Sequence, residues 1–196
     1  MASLAGDFNL SKFKGALVRG GARPSLFEFT VTGIPTDSKV GTGLNNIQSF
    51  CQVSALPPLT VSPIEKMYMG RTVKIPGDMV FGDLTTTIYQ TQTGTERAAL
   101  NTWMQEINGH ASNVTTLKTG SFMGMYSGTI VLTQYDKEGK SLVEVEFVDA
   151  WPQTVSEIAL SYDTATDIEQ FDVTWAYQHY KVTPKLTAVF TSGSVT

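Results

Sequence analysis

Hydrophobic and polar residues alternate along several short stretches of this chain, the pattern of strands with one buried face. In KSLVEVEFVDA, Val143, Val145 and Phe147 share one side, while Glu144 and Glu146 share the other. The stretches SLFEFTVTGIP, IQSFCQVSAL, LTTTIYQTQ, SGTIVLTQYD, EIALSYD and IEQFDVTWAYQHY are further strand candidates. The pattern predicts roughly seven or eight short strands.

Prolines and glycines divide these strands. The strand IQSFCQVSAL is predicted to end at Pro57-Pro58, because proline cannot donate a ladder hydrogen bond. An extended piece around Thr72–Ile75 ends at the turn signal Pro76-Gly77-Asp78. Residues Asp136–Lys140 predict a hairpin loop, and Trp151-Pro152 is expected to break the strand that follows it.

One helix is predicted at about residues 94–108. Thr93 and Glu96 have the spacing of a capping box, and Asn108-Gly109 supplies a stop. A single apolar stripe runs between them: Leu100, Trp103, Met104 and Ile107. Such a stripe indicates packing on a sheet far more often than a ligand site.

These elements predict a mostly β (α+β) fold, a small β-barrel or sandwich of two packed antiparallel sheets with one flanking α-helix. The domain is expected over residues 24–182 and includes a loop at 36–46, TDSKVGTGLNN. A flexible, basic N-terminal arm is expected at residues 1–23, and a flexible C-terminal tail at 183–196.

The charge is unevenly distributed along the chain. Residues 136–172 contain ten of the eighteen acidic residues and two lysines, so this segment carries −8. Because the whole chain carries −4, the remainder carries +4. Surfaces of opposite sign suit head-to-tail assembly or a polarised channel, and solvated strand faces are the plainer explanation. The excess of acidic over basic residues argues against general nucleic-acid binding.

The sequence provides no arrangement that indicates catalysis, a cofactor or a metal site. Cys51 is the single cysteine, which excludes an intrachain disulfide, and His110 and His179 have no second ligand at metal-binding spacing. Glu144 and Glu146 could be imagined as an acid and a base, but exposure on a strand is the stronger interpretation. No signal peptide or membrane-spanning run is recognised, so production in the cytoplasm without membrane insertion is expected.

Four segments together resemble a known family. They are ARPSLFEFTV at 22–31, FCQVSALP at 50–57, VKIPGDMVFGDLTTTIY at 73–89 and WPQTVSEIALSYDTATDIEQFDVTWAYQHY at 151–180. In order and spacing they resemble the tail tube proteins of contractile-tailed bacteriophages, which are related to the Hcp ring protein of type VI secretion. The resemblance extends from about Ala22 to Tyr180, and it is weakest in the arm, the 36–46 loop and the tail.

The resemblance implies a non-enzymatic virion protein. Six copies would form a ring, and rings would stack into a tube through which genomic DNA passes into the host. The implied partners are further copies of the chain, the tail sheath protein, a baseplate or initiator, a tail terminator, and tape measure protein and double-stranded DNA in the lumen. Assembly in the host bacterial cytoplasm is expected.

Two groups of charged residues are candidate sites within such a tube. Glu144, Glu146 and Asp172 are candidates for a lumen-facing surface that repels phosphates. Basic residues of the arm and the 36–46 loop are candidates for contacts between rings: Lys12, Lys14, Arg19, Arg23 and Lys39. The alternatives are the tube protein of a phage-derived contractile injection system, which would convey effectors, and a β-sandwich virion adhesin.

Overall fold

The computed structural model describes residues 14–15, 21–34, 40, 43–115, 126–158, 160–161 and 167–185. Nine strands and two helices are defined within residues 21–185 of these ranges. The helices are α1 (Gly43–Phe50) and α2 (Thr95–Ile107). The strands are β1 (Phe27–Thr32), β2 (Cys51–Ser54), β3 (Leu59–Tyr68), β4 (Arg71–Phe81), β5 (Leu84–Tyr89), β6 (Gly128–Tyr135), β7 (Ser141–Val155), β8 (Gln170–Ala176) and β9 (His179–Pro184).

Seven strands form one antiparallel sheet, in the order β1-β6-β7-β8-β5-β2, with β9 also paired to β7. The long strand β7 pairs with β6 and β9 in its first part and with β8 near its end. Asp149, at a left-handed φ of 55°, lies where this pairing changes. The sheet therefore folds over along β7 into two layers, and β3 and β4 form a separate two-stranded sheet.

The predicted class, mostly β with two antiparallel sheets, is confirmed. The arrangement is that of a sandwich, because the sheets do not close into a barrel within the subunit. A single open sheet leaves strand edges unpaired.

Trp175 lies at the centre of the core between the two layers. Its ring is 6.0 Å from the ring of Phe29 on β1 and 6.0 Å from that of Trp103 on α2. Its indole N–H donates a 2.9 Å hydrogen bond to Thr86 Oγ1, so the one polar atom of the ring is satisfied. The alternation predicted for the late strands is confirmed, because Phe147, Phe171 and Trp175 are all buried.

The predicted helix at 94–108 is confirmed as α2, but its predicted capping box is wrong. Gly94 occupies the N-cap position at φ 65°, without a side-chain capping bond. The Glu96 carboxylate turns instead into the protein, where it is fully buried and accepts hydrogen bonds from the Thr91 N–H and hydroxyl, the Thr95 hydroxyl and the Asn46 amide. Burial would raise the pKa of Glu96, but these hydrogen bonds hold that pKa below its ordinary value.

Helix α1 was not anticipated, because residues 36–46 were predicted as a loop and 47–56 as a strand. Leu44 and Ile47 share one buried face of α1, three residues apart, and the strand that follows is limited to Cys51–Ser54. Gly43 permits close packing on α2, since a Cβ there would lie 2.6 Å from the Thr95 carbonyl oxygen. Of residues 36–46, only Val40 and 43–46 lie within the described ranges.

Three other strand predictions need correction. Trp151-Pro152 does not break β7, because Pro152 lies at a register shift in its pairing with β8, where a missing N–H is tolerated. Glu157, Ile158 and Leu160 of the predicted strand EIALSYD are not in a strand. The predicted strand IEQFDVTWAYQHY is divided between β8 and β9. The hairpin loop at 136–140 is confirmed, with Gly139 at φ 77°.

Candidate assembly surfaces

The hairpin formed by β3 and β4 projects its apolar side chains into solvent. All ten residues of β3 are exposed, as are nearly all of β4. The exposed apolar residues lie on both strands and at the tip: Leu59, Val61, Ile64, Met67, Tyr68, Met69, Val73, Ile75, Met79 and Val80. An exposed apolar surface of this extent marks an interaction site.

The tip and the middle of the hairpin have specific backbone requirements. Met69 and Gly70 both adopt positive φ, 43° and 79°, which matches the two-residue turn that suits the twist of antiparallel strands. In the middle, the register shifts between Val61 and Pro63, opposite Gly77. A Cβ on Gly77 would lie 2.6 Å from the Ser62 carbonyl oxygen, so only glycine fits. The predicted turn at Pro76-Gly77-Asp78 is therefore wrong, because β4 continues through this bulge to Phe81.

The outer half of the hairpin has two different faces. Ile64 pairs with Ile75, and Lys66 pairs with Val73, so these four side chains share one face. The other face contains the exposed ion pair between Glu65 and Lys74, with 3.4 Å between Oε1 and Nζ. One face thus combines apolar residues with positive charge, which suits a partner surface that is apolar and acidic.

Aromatic rings attach the base of the hairpin to the sandwich. The Phe81 ring lies 6.3 Å from that of Tyr177 and 5.4 Å from that of Tyr180. The Tyr177 hydroxyl donates to the Gly82 carbonyl, and burial raises the pKa of Tyr177 to about 12. The Gly82 N–H donates to the Pro58 carbonyl at 3.2 Å, which closes the base. The hairpin is therefore anchored to the sandwich at its base, and its outer part extends into solvent.

Unpaired strand edges are a second feature of the surface. Within the described ranges, β1, β2 and β9 each pair with one strand only. The free side of an edge strand presents backbone N–H and C=O groups that can pair with a strand of another chain. The edges of β1 and β9 lie on opposite sides of the same layer, so head-to-tail strand pairing between copies is geometrically possible.

The candidate residues Glu144 and Glu146 lie together on the solvent side of β7. Their neighbours Val145 and Phe147 point into the core. The Glu144 carboxylate forms a 3.0 Å ion pair with Lys185 Nζ, and Glu146 lies opposite Lys181 on β9. Positive charge on β9 and directly after it thus offsets part of the acidic charge on β7.

The third acidic candidate, Asp172, lies away from the other two. It is on β8, where its carboxylate accepts a 2.7 Å hydrogen bond from the Thr87 hydroxyl of β5. Its backbone bonds Ser156, just beyond the C-terminal end of β7, whereas Glu144 and Glu146 lie in the first part of that strand. The structure therefore does not bring the three acidic candidates into one cluster.

The basic candidates lie mostly outside the described ranges. Lys12, Arg19 and Lys39 fall there, whereas Lys14 and Arg23 are exposed. Arg23 precedes β1, and its backbone carbonyl accepts hydrogen bonds from the Leu26 N–H and the Gln134 amide. The start of the domain is thereby fixed beside β6, with the Arg23 side chain in solvent.

The described residues contain no group of three or more His, Cys, Asp or Glu side chains that could hold a metal ion. His110 is exposed after α2, where its Nδ1 lies 3.3 Å from the Gln105 amide. Cys51 is half-buried at the start of β2, and burial raises the pKa of its thiol to about 12. No helix in the described ranges is long and apolar enough to cross a membrane.

Sequence reasoning missed the hairpin as a unit. Only Thr72–Ile75 was predicted to be extended, although β3 and β4 span Leu59–Phe81. The available signal was Met69-Gly70 between two stretches with β-branched residues, LTVSPIEKMY and RTVKIPGDMVF. Two prolines in this region, Pro63 and Pro76, hid the signal, because proline usually argues against a strand interior.

Known proteins are similar to this chain in both sequence and fold. The family model described as phage tail tube protein matches residues 22–183. The tail tube protein gp19 of Enterobacteria phage T4 is 27% identical over 161 residues, 82% of this chain and 91% of that protein. The corresponding protein of Enterobacteria phage T6 is 29% identical over the same shares of the two chains.

A solved structure adds support at the level of fold. A chain in the sheath-tube complex of an extracellular contractile injection system, PVC, in its extended state, aligns with a TM-score of 0.59 and 14% identity. The alignment covers 90% of this chain and 98% of that one. Because the family match spans both layers of the sandwich and the projecting hairpin, this chain belongs to the phage tail tube protein family.

Proposed function

We propose that this chain is the tail tube subunit of a contractile-tailed phage, and that six copies close into rings that stack around a channel for DNA. The exposed hairpin β3–β4 is the observation that carries the proposal. An isolated two-stranded hairpin is at best marginally stable in water, and this one leaves Val73 46% exposed and Ile75 48% exposed. A neighbouring copy that covers these residues would stabilise the hairpin and remove the apolar surface from water.

Ring closure would use the free edges of the sandwich. A strand of one copy added beside β1 or β9 of the next would satisfy backbone donors and acceptors that otherwise bind water. Repetition of this head-to-tail contact gives a ring when the rotation closes. In such a ring, the strand layers of successive copies would form one continuous inner wall.

The acidic residues on the solvent side of the strands would line that wall. Glu144, Glu146 and Asp172 would face the lumen and repel phosphates, so that DNA slides without adhering. The ion pair of Glu144 with Lys185 reduces this charge locally, so Glu146 and Asp172 would contribute more to the potential. A ring structure in which all three carboxylates face the sheath would exclude this role.

Contacts between rings would involve basic residues near the N-terminus and before helix α1, namely Lys12, Lys14, Arg19, Arg23 and Lys39. Basic side chains order more readily against an acidic surface, and the adjacent ring would offer one. Removal of residues 1–20 should then leave single rings or subunits. Normal tubes from that shortened chain would show that these residues are dispensable.

The remaining partners follow from the proposed place in the virion. The sheath protein would surround the tube, with a baseplate or initiator and a terminator at its ends, and tape measure protein would precede DNA in the lumen. The assembly would form in the cytoplasm of the bacterial host. A tube subunit of this kind contributes shape and charge, and no reaction is assigned to it.

A second candidate function is favoured by the structural alignment with a chain in the sheath-tube complex of an injection system. A device of that kind would use the same hairpin and edges but convey proteins in place of DNA. The shared fold supports both candidates equally, whereas the family match favours the phage tail. The content of purified tubes, or the neighbouring genes, would separate the two.

Electron microscopy of the purified chain tests the central proposal. We expect rings or tubes from the unaltered chain, supplied with an initiating complex if required, and dispersed subunits from the double variant I64D/I75D. The matched control is E65Q, which removes an exposed ion pair from the opposite face of the same hairpin and should still assemble. Equal assembly of I64D/I75D and E65Q would overturn the role of the hairpin.

A further inference from the structure

The β3–β4 hairpin is rich in methionine. Of the four methionines in the described ranges, three lie on this hairpin, namely Met67, Met69 and Met79, and the fourth, Met104, is half-buried on α2. Met67 is 77% exposed and Met69 is 87% exposed, with Tyr68 between them at 66%. Three consecutive exposed side chains of this size form a contiguous patch at the tip of the hairpin, which single exposed residues elsewhere do not.

The backbone at the tip holds these side chains in solvent. Met69 has a positive φ of 43° and precedes Gly70 at φ 79°, so the chain reverses at these two residues and neither has a strand residue opposite it. Met67 lies opposite Thr72, whose hydroxyl donates to Met67 Sδ at 3.4 Å. One lone pair of the Met67 sulfur is therefore engaged, whereas the Met69 side chain extends freely into water.

A thioether in this position can take an oxygen atom from a peroxide. With hydrogen peroxide, a sulfur lone pair forms the new S–O bond, the O–O bond breaks, and the departing hydroxide receives the remaining proton and leaves as water. The sulfur is oxidised, the peroxide is reduced, and the product is methionine sulfoxide. Because the peroxide must reach the sulfur atom, exposure places Met69 first in the order of reaction and the half-buried Met104 last.

Oxidation at the tip leaves the fold of the subunit unchanged. Met67 and Met69 lie outside the buried core, and the Thr72 hydroxyl can donate to a sulfoxide oxygen as it does to the sulfur. In the free subunit the new oxygen faces water. A cost arises only when a partner covers the tip, because a polar oxygen that is buried without a donor is unfavourable. The modification therefore acts on the interface and not on the subunit.

We propose that Met69, together with Met67, is an oxidation site that blocks assembly while the subunit is still free. The inference rests on the proposed function, because it requires a neighbouring copy to cover the hairpin. In the free subunit a peroxide converts both side chains to sulfoxides, and the neighbouring copy then no longer binds the tip. In an assembled tube the same copy shields both sulfur atoms. The change is reversible, since two reductases, one for each sulfoxide epimer, restore the thioether.

Treatment of dilute, unassembled full chain with hydrogen peroxide tests the inference in two steps. Peptide mass mapping should show severalfold faster sulfoxide formation at Met69 than at Met104. After the peroxide is removed, electron microscopy, with an initiating complex if required, should show loss of rings and tubes. Treatment of the oxidised chain with the two methionine sulfoxide reductases should bring them back.

The variant M67L/M69L is the control that isolates the tip, since leucine has a similar volume and no sulfur to oxidise. It keeps Met79, Met104 and Cys51, and it should form tubes both before and after peroxide treatment. The matched variant M104L, changed in the sandwich, should form tubes before treatment and lose them afterwards, as the unaltered chain does.

The failure of this inference is distinguishable from the failure of the proposed function. Tubes at unchanged yield from chain oxidised at Met69 would overturn the inference alone, as would loss of tubes from peroxide-treated M67L/M69L, because another residue would then be responsible. Equal rates of oxidation at Met69 and Met104 would also overturn it. Absence of rings and tubes from the untreated chain would instead overturn the proposed function and, with it, the effect of oxidation on assembly.

Discussion

Strands β4 and β5 follow each other in the chain and contain similar β-branched residues, but their environments differ completely. Leu84 and Ile88 of β5 are 0% exposed, whereas Val73 and Ile75 of β4 are 46% and 48% exposed. The difference arises from pairing, because β5 lies between β2 and β8, and β4 pairs with β3 alone. Strand propensity is thus similar in both, and position in the fold decides whether the side chains are buried.

The comparison indicates that stability and assembly depend on different residues. The sandwich contains an aromatic core around Trp175, and the buried Glu96 carboxylate is hydrogen-bonded, so the subunit should be stable by itself. The hairpin contributes little to that core, and it exposes apolar side chains that a neighbouring subunit in an assembly would cover. Substitutions in the two regions should therefore separate the free energy of unfolding from the ability to assemble.

The largest effect is expected from Trp175→Ala in the core. Loss of the indole removes contacts with Phe29 and Trp103 and leaves a cavity, so the free energy of unfolding should fall by about 3–5 kcal/mol. Ile64→Ala in the hairpin should change it by less than about 1 kcal/mol. Urea unfolding of the unassembled subunit measures the free energy for both variants. Equal losses would contradict the conclusion that stability and assembly depend on different residues.

A smaller loss is expected from Glu96→Ala. The change leaves the Thr91 N–H and the Asn46 amide without their buried acceptor, at a cost of about 1–3 kcal/mol. Glu65→Ala in the hairpin removes an exposed ion pair, and its effect should stay within about 0–1 kcal/mol. Thermal unfolding in the same buffer compares the two carboxylates directly, and a larger loss for Glu65→Ala would be inconsistent with the structure.

The same carboxylate should make stability depend on acid pH. Hydrogen bonds lower the pKa of Glu96 in the folded state relative to its ordinary value of 4.5. Its ionised form therefore contributes stability that is complete above pH 4.5 and is lost as the pH falls through the folded-state pKa. Unfolding measured from pH 6 downward should show a shallower decline for Glu96→Gln than for the unaltered chain. Parallel declines would mean that other groups control the acid sensitivity.

The smallest effect on the subunit, combined with a clear effect on assembly, is expected from Gly77→Ala. The added Cβ would lie 2.6 Å from the Ser62 carbonyl oxygen, so the bulge and the hairpin beyond it must shift. Unfolding free energy should change by less than about 1 kcal/mol, while tube formation should fail. Glu65→Gln on the same hairpin is the control, since it removes only an exposed ion pair and leaves the backbone unchanged. Intact tubes from Gly77→Ala would weaken the assignment of the hairpin to assembly.

The sandwich strands and α2 were largely predictable, because one-sided burial leaves an alternating or helical pattern in the sequence. Val145 and Phe147 followed that rule, as did Leu100 and Trp103. Helix α1 was missed because its two buried residues, Leu44 and Ile47, are too few to establish a helical period over eight residues. The true environment of Glu96 depends on Asn46, fifty positions away, which local spacing cannot reveal.

The candidate sites were less predictable than the fold. The hairpin has no buried face in the subunit, so its pattern is not shaped by the core, and its prolines resemble strand ends. Glu146 and Asp172 both belong to the acidic segment 136–172, but the long strand β7 and its bend at Asp149 place them apart in space. Sequence clustering of charge therefore did not predict spatial clustering.

The raised pKa of Cys51 has a practical consequence for labelling. With a pKa of about 12, its thiol stays protonated near neutral pH and reacts slowly with maleimides. A cysteine introduced at the tip of the hairpin in place of Met69, which is 87% exposed, would react much faster. One fluorophore per subunit could then be attached without first removing the native cysteine, so that a change in the environment of the hairpin tip can be followed by fluorescence.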